Sequence, residues 1–225
     1  MSNILEPLKL TRRDGKIVDV IFYNNAGIDE VEILDIKKLK FEGMKTKDIK
    51  KANIHSEVLK GEEKILLQNK HSKMVAGLSK RHLNKIISTV FTRDVESRHT
   101  YLKKELISNV DLIFYAAVPI LKHPELKTQA LYHNQVIHRF ALPLKIGGLI
   151  FLAMITVKER IDYEEMSIDE FTIYDLYSEV VKNEKSLDSS SKVSNRTFLS
   201  QYQVITYSIN DIIDFVNRNV TNNYG

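Results

Sequence analysis

No cysteine occurs among the 225 residues, which excludes a disulfide framework and any cysteine-ligated zinc site. Long apolar runs are missing too. The longest, Leu149 to Ile155, has the length of a buried strand and is too short to cross a bilayer. The chain begins Met-Ser-Asn-Ile-Leu-Glu-Pro-Leu, without a charged n-region followed by an apolar h-region. The expectation is therefore a cytoplasmic protein with no Sec signal and no membrane insertion; delivery to another cell by a signal-less route stays open. There is no P-loop, Rossmann turn, serine nucleophile elbow or zinc ligand set, and no internal repeat. Charge of one sign is also scarce. Lys and Arg number 33 against 29 Asp and Glu, net +4, a mild basic bias compatible with nucleic acid and far from a histone-like excess.

What is present suits one domain of ordinary size with appendages, and a 43 % hydrophobic content allows a real core. The organising stretch is Val136 to Lys158. Two β-branched, apolar runs flank Gly147-Gly148, the signal of a two-residue hairpin turn that requires positive φ. Counting outward, Ile146 faces Leu149, Phe140 faces Ile155, Arg139 faces Thr156, and Ile137 faces Lys158. Period-two alternation then puts Val136, His138, Phe140, Leu142, Leu144, Phe151, Ala153, Ile155 and Val157 on a core face. Arg139, Thr156 and Lys158 share the other face, expected to be half solvated. Two cations and a hydroxyl on a rigid sheet suit a phosphate; a basic outer face explains them equally well.

Before the hairpin, Lys16–Tyr23 and Val31–Ile36 are strand-like and joined by the turn signal Asn24-Asn25-Ala26-Gly27. A short helix over Asp48–Leu59 ends at Gly61, and Glu63–Asn69 is strand-like. Ser79 is a good N-cap for a helix with the stripe Leu83, Ile86, Ile87 and Val90; its other face carries Lys80, Arg81 and Lys85, with His82 nearby. Another helix opens at His99 and runs through Leu102, Leu106 and Val110 to Val118 or beyond, with Pro119 and His123-Pro124 marking its end. Residues 161–170 are acidic and loop-like, and Phe171–Tyr177 is a third strand. Ser186 to Ser194 has a linker composition. Phe198 to Val220 then forms a helix whose stripe is Tyr202, Ile205, Ile209, Ile212, Ile213 and Val216. That stripe must be buried, against residues 45–180 or in a homodimer.

The succession Leu59-Lys-Gly61, Asn69, His71-Ser72 and Leu78–Ser88 resembles the opening of a nuclease-like domain of "polyvalent" proteins of phages and conjugative elements. The continuation is similar too: Asn109 to Leu121 closing at His123, then Val136–Phe140, Pro143, Lys145, Gly147, Leu152–Glu159 and the Tyr174 strand. That family is grouped with the barnase–EndoU–colicin–RelE-like (BECR) fold, and the resemblance covers about residues 45–180. It implies an α+β fold, an antiparallel β-sheet with helices packed on one face. An N-terminal β-hairpin (1–43) and a C-terminal amphipathic helix (195–225) are appended to the nuclease-like domain (44–182), with a Ser-rich linker at 183–194. It also implies an endonuclease of a mobile genetic element, an effector or toxin acting on nucleic acid, RNA ahead of DNA, with no essential metal and no cofactor.

Attack of a ribose 2′-OH on its phosphate needs a base, an acid for the leaving 5′-oxygen and cations for the crowded phosphorane. Histidine suits the first two and Arg or Lys the third. His99 and His123 coincide with polar positions of the family pattern. With Arg139, Thr156 and Lys158 they form the expected catalytic set, although each histidine also reads as a helix-end residue. Lys80, Arg81 and Lys85 are expected on the substrate backbone, or else form an ordinary solvated helix face. Tyr174 is placed to stack on a base or bond a phosphate, and His138 is read as a packing or orienting residue. Two alternatives stand beside this. One is a non-catalytic effector whose surfaces bind a neutralising or host protein. The other is a metal-dependent DNA endonuclease, because Asp19 with Asp35-Ile36-Lys37 resembles the acids and lysine of PD-(D/E)xK enzymes, without the preceding proline.

Overall fold

The computed structural model describes residues 9–12, 14–25, 27–45, 48, 53–89, 100–127, 134–146, 149–175 and 206–224. His99, His133, Gly147, Gly148, Tyr202, Ile205 and the Ser-rich linker lie outside the described residues. In chain order the elements are β1 (Lys9–Thr11), β2 (Ile17–Asp19), β3 (Ile21–Phe22), β4 (Glu30–Glu32), β5 (Leu34–Ile36), α1 (Ile54–Leu59), β6 (Lys64–Gln68) and β7 (Val75–Ser79). They continue with α2 (Lys80–Thr89), α3 (Thr100–Ser108), α4 (Val110–Ala116), β8 (Val118–Pro124), β9 (Gln135–Ile146), β10 (Leu149–Arg160), β11 (Glu165–Asp175), β12 (Thr206–Ser208) and α5 (Ile209–Tyr224).

The main sheet is built on β9 and β10, which pair antiparallel in the register counted from the sequence: Ile146 opposite Leu149, Phe140 opposite Ile155, Arg139 opposite Thr156 and Ile137 opposite Lys158. Strands run in the order β3-β8-β9-β10-β11-β7-β6. β5 joins in parallel beside Leu144–Ile146 of β9, beyond the point where β8 has stopped. Most pairs are antiparallel; β7 meets β11 in parallel at Gly77 and Ser167. A Cβ on Gly77 would meet the end of the Lys64 side chain on its way to Glu165, so a larger residue here would have to displace that lysine. The fold is α+β, as expected.

Several boundaries differ from the sequence reading. The segments around 16–23 and 31–36 do not pair with each other. β2 pairs with β1, β3 with β8, β4 with β12 and β5 with β9, so the N-terminal strands are spent on four different partners. The helix from His99 to Val118 or beyond stops at Ala116, and Val118–Pro124 is a strand. Pro119 disfavours the helical region for Val118, and it is accommodated where the register against β9 slips between Pro119 and Leu121. β11 begins at Glu165, inside the stretch expected to be a loop. The last helix starts at Ile209, later than expected.

Helices α1 to α4 touch one another as one layer, and α4 seats Phe114 edge-on against Phe140, ring centroids 5.3 Å apart. Tyr174 lies opposite Leu152, three residues from Ile155 and hence on the other face, where it meets Phe215 of α5 at 5.2 Å. The expected half-solvated face is thus a second interior surface. Nearly every residue of β9 is buried, and Ile209, Ile212, Ile213, Phe215 and Val216 of α5 are buried within this chain. Fully buried Asn69 ties the loop between β6 and β7 to the C-terminal end of α4. Its amide donates to the carbonyls of Phe114 and Ala117, both at 2.7 Å, and its oxygen accepts from the backbone of His71 and Ser72.

Candidate functional site

At the end of the sheet where β8 and β10 finish and β9 begins, alternation sends polar side chains to both faces. His123, Arg139, Thr156 and Lys158 go to one face; Lys122, His138 and Glu159 go to the other.

On the first face Arg139 donates from Nη1 to Thr156 Oγ1, its cross-strand neighbour, and lies 3.7 Å from Glu170 Oε2. Lys158 Nζ is 3.0 Å from Glu125 Oε2 and 3.5 Å from Asp169 Oδ2, and Asp169 also receives Lys85 of α2 at 2.5 Å. A β-bulge creates this meeting. Thr156 pairs with Glu170 but Val157 pairs with Ile168, so Asp169 is the extra residue, turned toward the two lysines. Among the described residues three cations (Lys85, Arg139, Lys158) therefore pair with three carboxylates (Glu125, Asp169, Glu170), and the charge of Lys127 also bears on Glu125. It is also well covered: His123 is 1 %, Thr156 4 %, Glu125 8 % and Arg139 9 % exposed.

The electrostatics follow from that enclosure. Burial acts to raise the Glu125 carboxyl, but the charge and hydrogen bond of Lys158 outweigh it, and the group titrates below the ordinary range. Asp169 goes the same way: burial opposes, and Lys85 and Lys158 prevail. For Lys158 burial pulls the pKa down while Asp169 and Glu125 pull it up, and the result is raised. All three stay ionised at neutral pH. His123 is different. Burial, opposed by its bond to the Pro124 carbonyl and assisted by Arg139, lowers it to about 4. A carbonyl only accepts, so Nδ1, 2.8 Å from Pro124 O, carries the proton and Nε2 is the acceptor nitrogen of a neutral ring.

On the second face, Tyr23 donates its hydroxyl to His138 Nδ1 at 2.5 Å, and His138 Nε2 donates to Glu159 Oε2 at 2.8 Å. Burial, then Glu159, pushes the Tyr23 phenol up to about 12. The chain Tyr23–His138–Glu159 fastens β3 to β9 and β10, which fits the orienting role expected of His138.

The other expected residues fall in different places. Lys80 and Arg81 are exposed at the start of α2 and line an open groove of about 540 Å³ with His55, Ser56 and Ser79. Lys85, expected beside them on nucleic acid, is instead tied to Asp169. Ser79 is the last residue of β7, and its hydroxyl meets His82 Nδ1 at 3.2 Å. The Tyr174 ring is committed to Phe215, and His123 sits in a strand and not at a helix end. Asp19 lies in the β1–β2 sheet and Asp35 beside β9, both exposed; among the described residues no three metal-binding side chains come together. The sequence reading missed Glu125, Asp169 and Glu170. Only the bulge and the turn after β8 bring them in, and an acidic tract was the sole visible signal.

Comparison with known protein families, with curated proteins and with solved structures finds no match for this chain. The geometry has to carry the functional reading.

Proposed function

We propose that this protein is a nucleic-acid endonuclease working without an essential metal, with RNA its substrate class ahead of DNA, and that the Arg139–Lys158 cluster handles the reacting phosphate. The supporting observation is the convergence, at one end of one sheet face, of a neutral histidine, a guanidinium, an ammonium and a carboxylate. Those are the groups transesterification needs. A proton acceptor, Glu125 or Nε2 of His123, takes the 2′-hydroxyl proton, and the 2′-oxygen bonds to phosphorus. Arg139 and Lys158 face the extra negative charge of the phosphorane. The bond from phosphorus to the 5′-oxygen breaks, and that oxygen leaves with the proton drawn back from the protonated acceptor, which restores the acceptor and balances the step. The products are a 2′,3′-cyclic phosphate and a 5′-hydroxyl. The preference for RNA rests on the resemblance to BECR-type nucleases and on this use of the 2′-hydroxyl.

The test is cleavage of single-stranded RNA and DNA by the purified full chain, with and without EDTA. RNA cut in EDTA to cyclic phosphate ends supports the reading, and a DNA-only activity abolished by EDTA overturns it. A second reading, a non-catalytic effector or protein-binding module on the same fold, draws on the charge pairing: every cation of the cluster already faces a carboxylate. Absence of cleavage on either polymer favours that reading.

A further inference from the structure

The carboxylate of Glu125 sits in a donor set of a particular kind. Its Oε2 receives Lys158 Nζ at 3.0 Å, and its Oε1 receives the backbone N–H groups of Leu126 at 3.1 Å and Lys127 at 3.4 Å. An ammonium and two consecutive backbone N–H groups converging on one anionic group form the kind of pocket that also takes a phosphate oxygen. The main chain at this point is anchored independently, because Glu125 N donates to Gln135 O at 2.9 Å. The side chain can therefore swing about its own torsions without loss of that strand bond. The charge count gives the swing a consequence. With Glu125 in place three cations pair with three carboxylates; with Glu125 withdrawn the cluster is one charge more positive.

We propose that the Glu125 carboxylate is an internal stand-in for the substrate phosphate, holding the phosphate seat of the Arg139–Lys158 cluster until a phosphodiester displaces it. The proposal rests on the functional reading above in placing the seat, and it adds how that seat is kept closed. Glu125 has the negative sign of phosphate and holds the same Lys158 ammonium and two backbone N–H groups, which makes it a direct competitor of phosphate. The ligand chemistry is a tetrahedral oxyanion, free or within a nucleic-acid backbone. Occupancy by an internal anion also keeps a second carboxylate on buried Lys158, beside Asp169, before substrate arrives.

Binding and cleavage separate the possibilities. Inorganic phosphate and a single-stranded oligoribonucleotide are titrated into the wild-type chain and into Glu125→Gln, which keeps the shape and an acceptor oxygen but removes the charge. The expected result is binding about tenfold tighter or more in Glu125→Gln, the scale of removing one like charge a few ångströms away, with the gain lost when Lys158→Met is added. Unchanged or weaker binding by Glu125→Gln overturns the proposal. If that variant also loses all cleavage, Glu125 is a proton acceptor and the nuclease reading survives without the stand-in. If binding tightens and neither protein cuts RNA or DNA, the seat is real and the nuclease reading falls. A measurement on the wild type guards against a variant that folds poorly. Saturating phosphate should shift the carboxylate carbon resonance of Glu125 and the amides of Leu126 and Lys127, and a spectrum in which all three stay put overturns the proposal.

Discussion

Glu125 reaches across the width of β9 to Lys158 on β10, Oε2 to Nζ 3.0 Å, with both side chains largely out of water. A buried pair of this kind is costly to break because the survivor keeps its charge without its partner. Lys158→Met should lower unfolding free energy by about 3–5 kcal/mol, leaving Glu125 and Asp169 to repel each other. Adding Glu125→Gln should restore part of that loss. Urea unfolding of the two single variants and the double variant measures the coupling; additive losses would show that the pair is not a unit.

His123 supplies a pH signature. Its folded value, about 4, lies below the ordinary 6.5, so the unfolded chain binds a proton between those values that the folded chain does not. Stability then rises with pH across this window and is lost as pH falls from about 6.5 toward about 4, by on the order of 3 kcal/mol for this residue. The depressed carboxylates Glu125 and Asp169 act lower. Their contribution is present above the ordinary carboxylate value and disappears as pH falls through their folded values. Thermal unfolding at pH 7.5 and pH 5, for the wild type and His123→Gln, isolates the histidine. The variant should show the flatter dependence, and equal slopes would mean that His123 is not held neutral.

The hairpin register was legible because two demands agree: alternation fixes which residues share a face, and the Gly-Gly pair fixes where counting starts. Arg139 and Thr156 therefore emerged as neighbours from spacing alone. What lay over them did not. The cover on the Tyr174 face comes from α5, far along the chain, and no local pattern says which sheet face a distant helix will choose. β8 was misread because Val110–Val118 keeps a helical apolar rhythm up to the point where Pro119 forbids it. Asp169 escaped for a subtler reason. A bulge changes the side-chain count by one, and nothing in Met166–Phe171 distinguishes a bulged strand from an acidic loop.

The stripe of α5 bears on assembly. Ile209, Ile212, Ile213, Phe215 and Val216 are buried within this chain, where α5 meets Tyr174 inside the expected 45–180 stretch and also β1 outside it. Removing residues 206–225 would strip Phe215 from Tyr174 and take β12 away from β4, exposing apolar surface. The truncated chain should lose soluble yield or run at a higher mass in size-exclusion chromatography with light scattering. A stable monomer of unchanged solubility would show that α5 contributes no cover.

The basic residues of α2 divide into two kinds with different consequences. Lys80 and Arg81 are exposed beside an open groove, whereas Lys85 reaches Asp169 and so supports the charge cluster from behind. If nucleic acid lies along this helix, Lys80→Ala and Arg81→Ala should each weaken binding to a similar degree for every sequence tested. Each should also reduce the slope of log affinity against log salt by about 1, as expected for backbone phosphate contacts. Lys85→Ala should leave that slope alone. Its effect should appear on the cluster, where Asp169 loses one of its two cations and its carboxyl titrates higher. Salt-dependent titrations of the three variants with one oligonucleotide decide the matter: a slope change in Lys85→Ala equal to that of its neighbours would place all three on the ligand and dissolve the distinction.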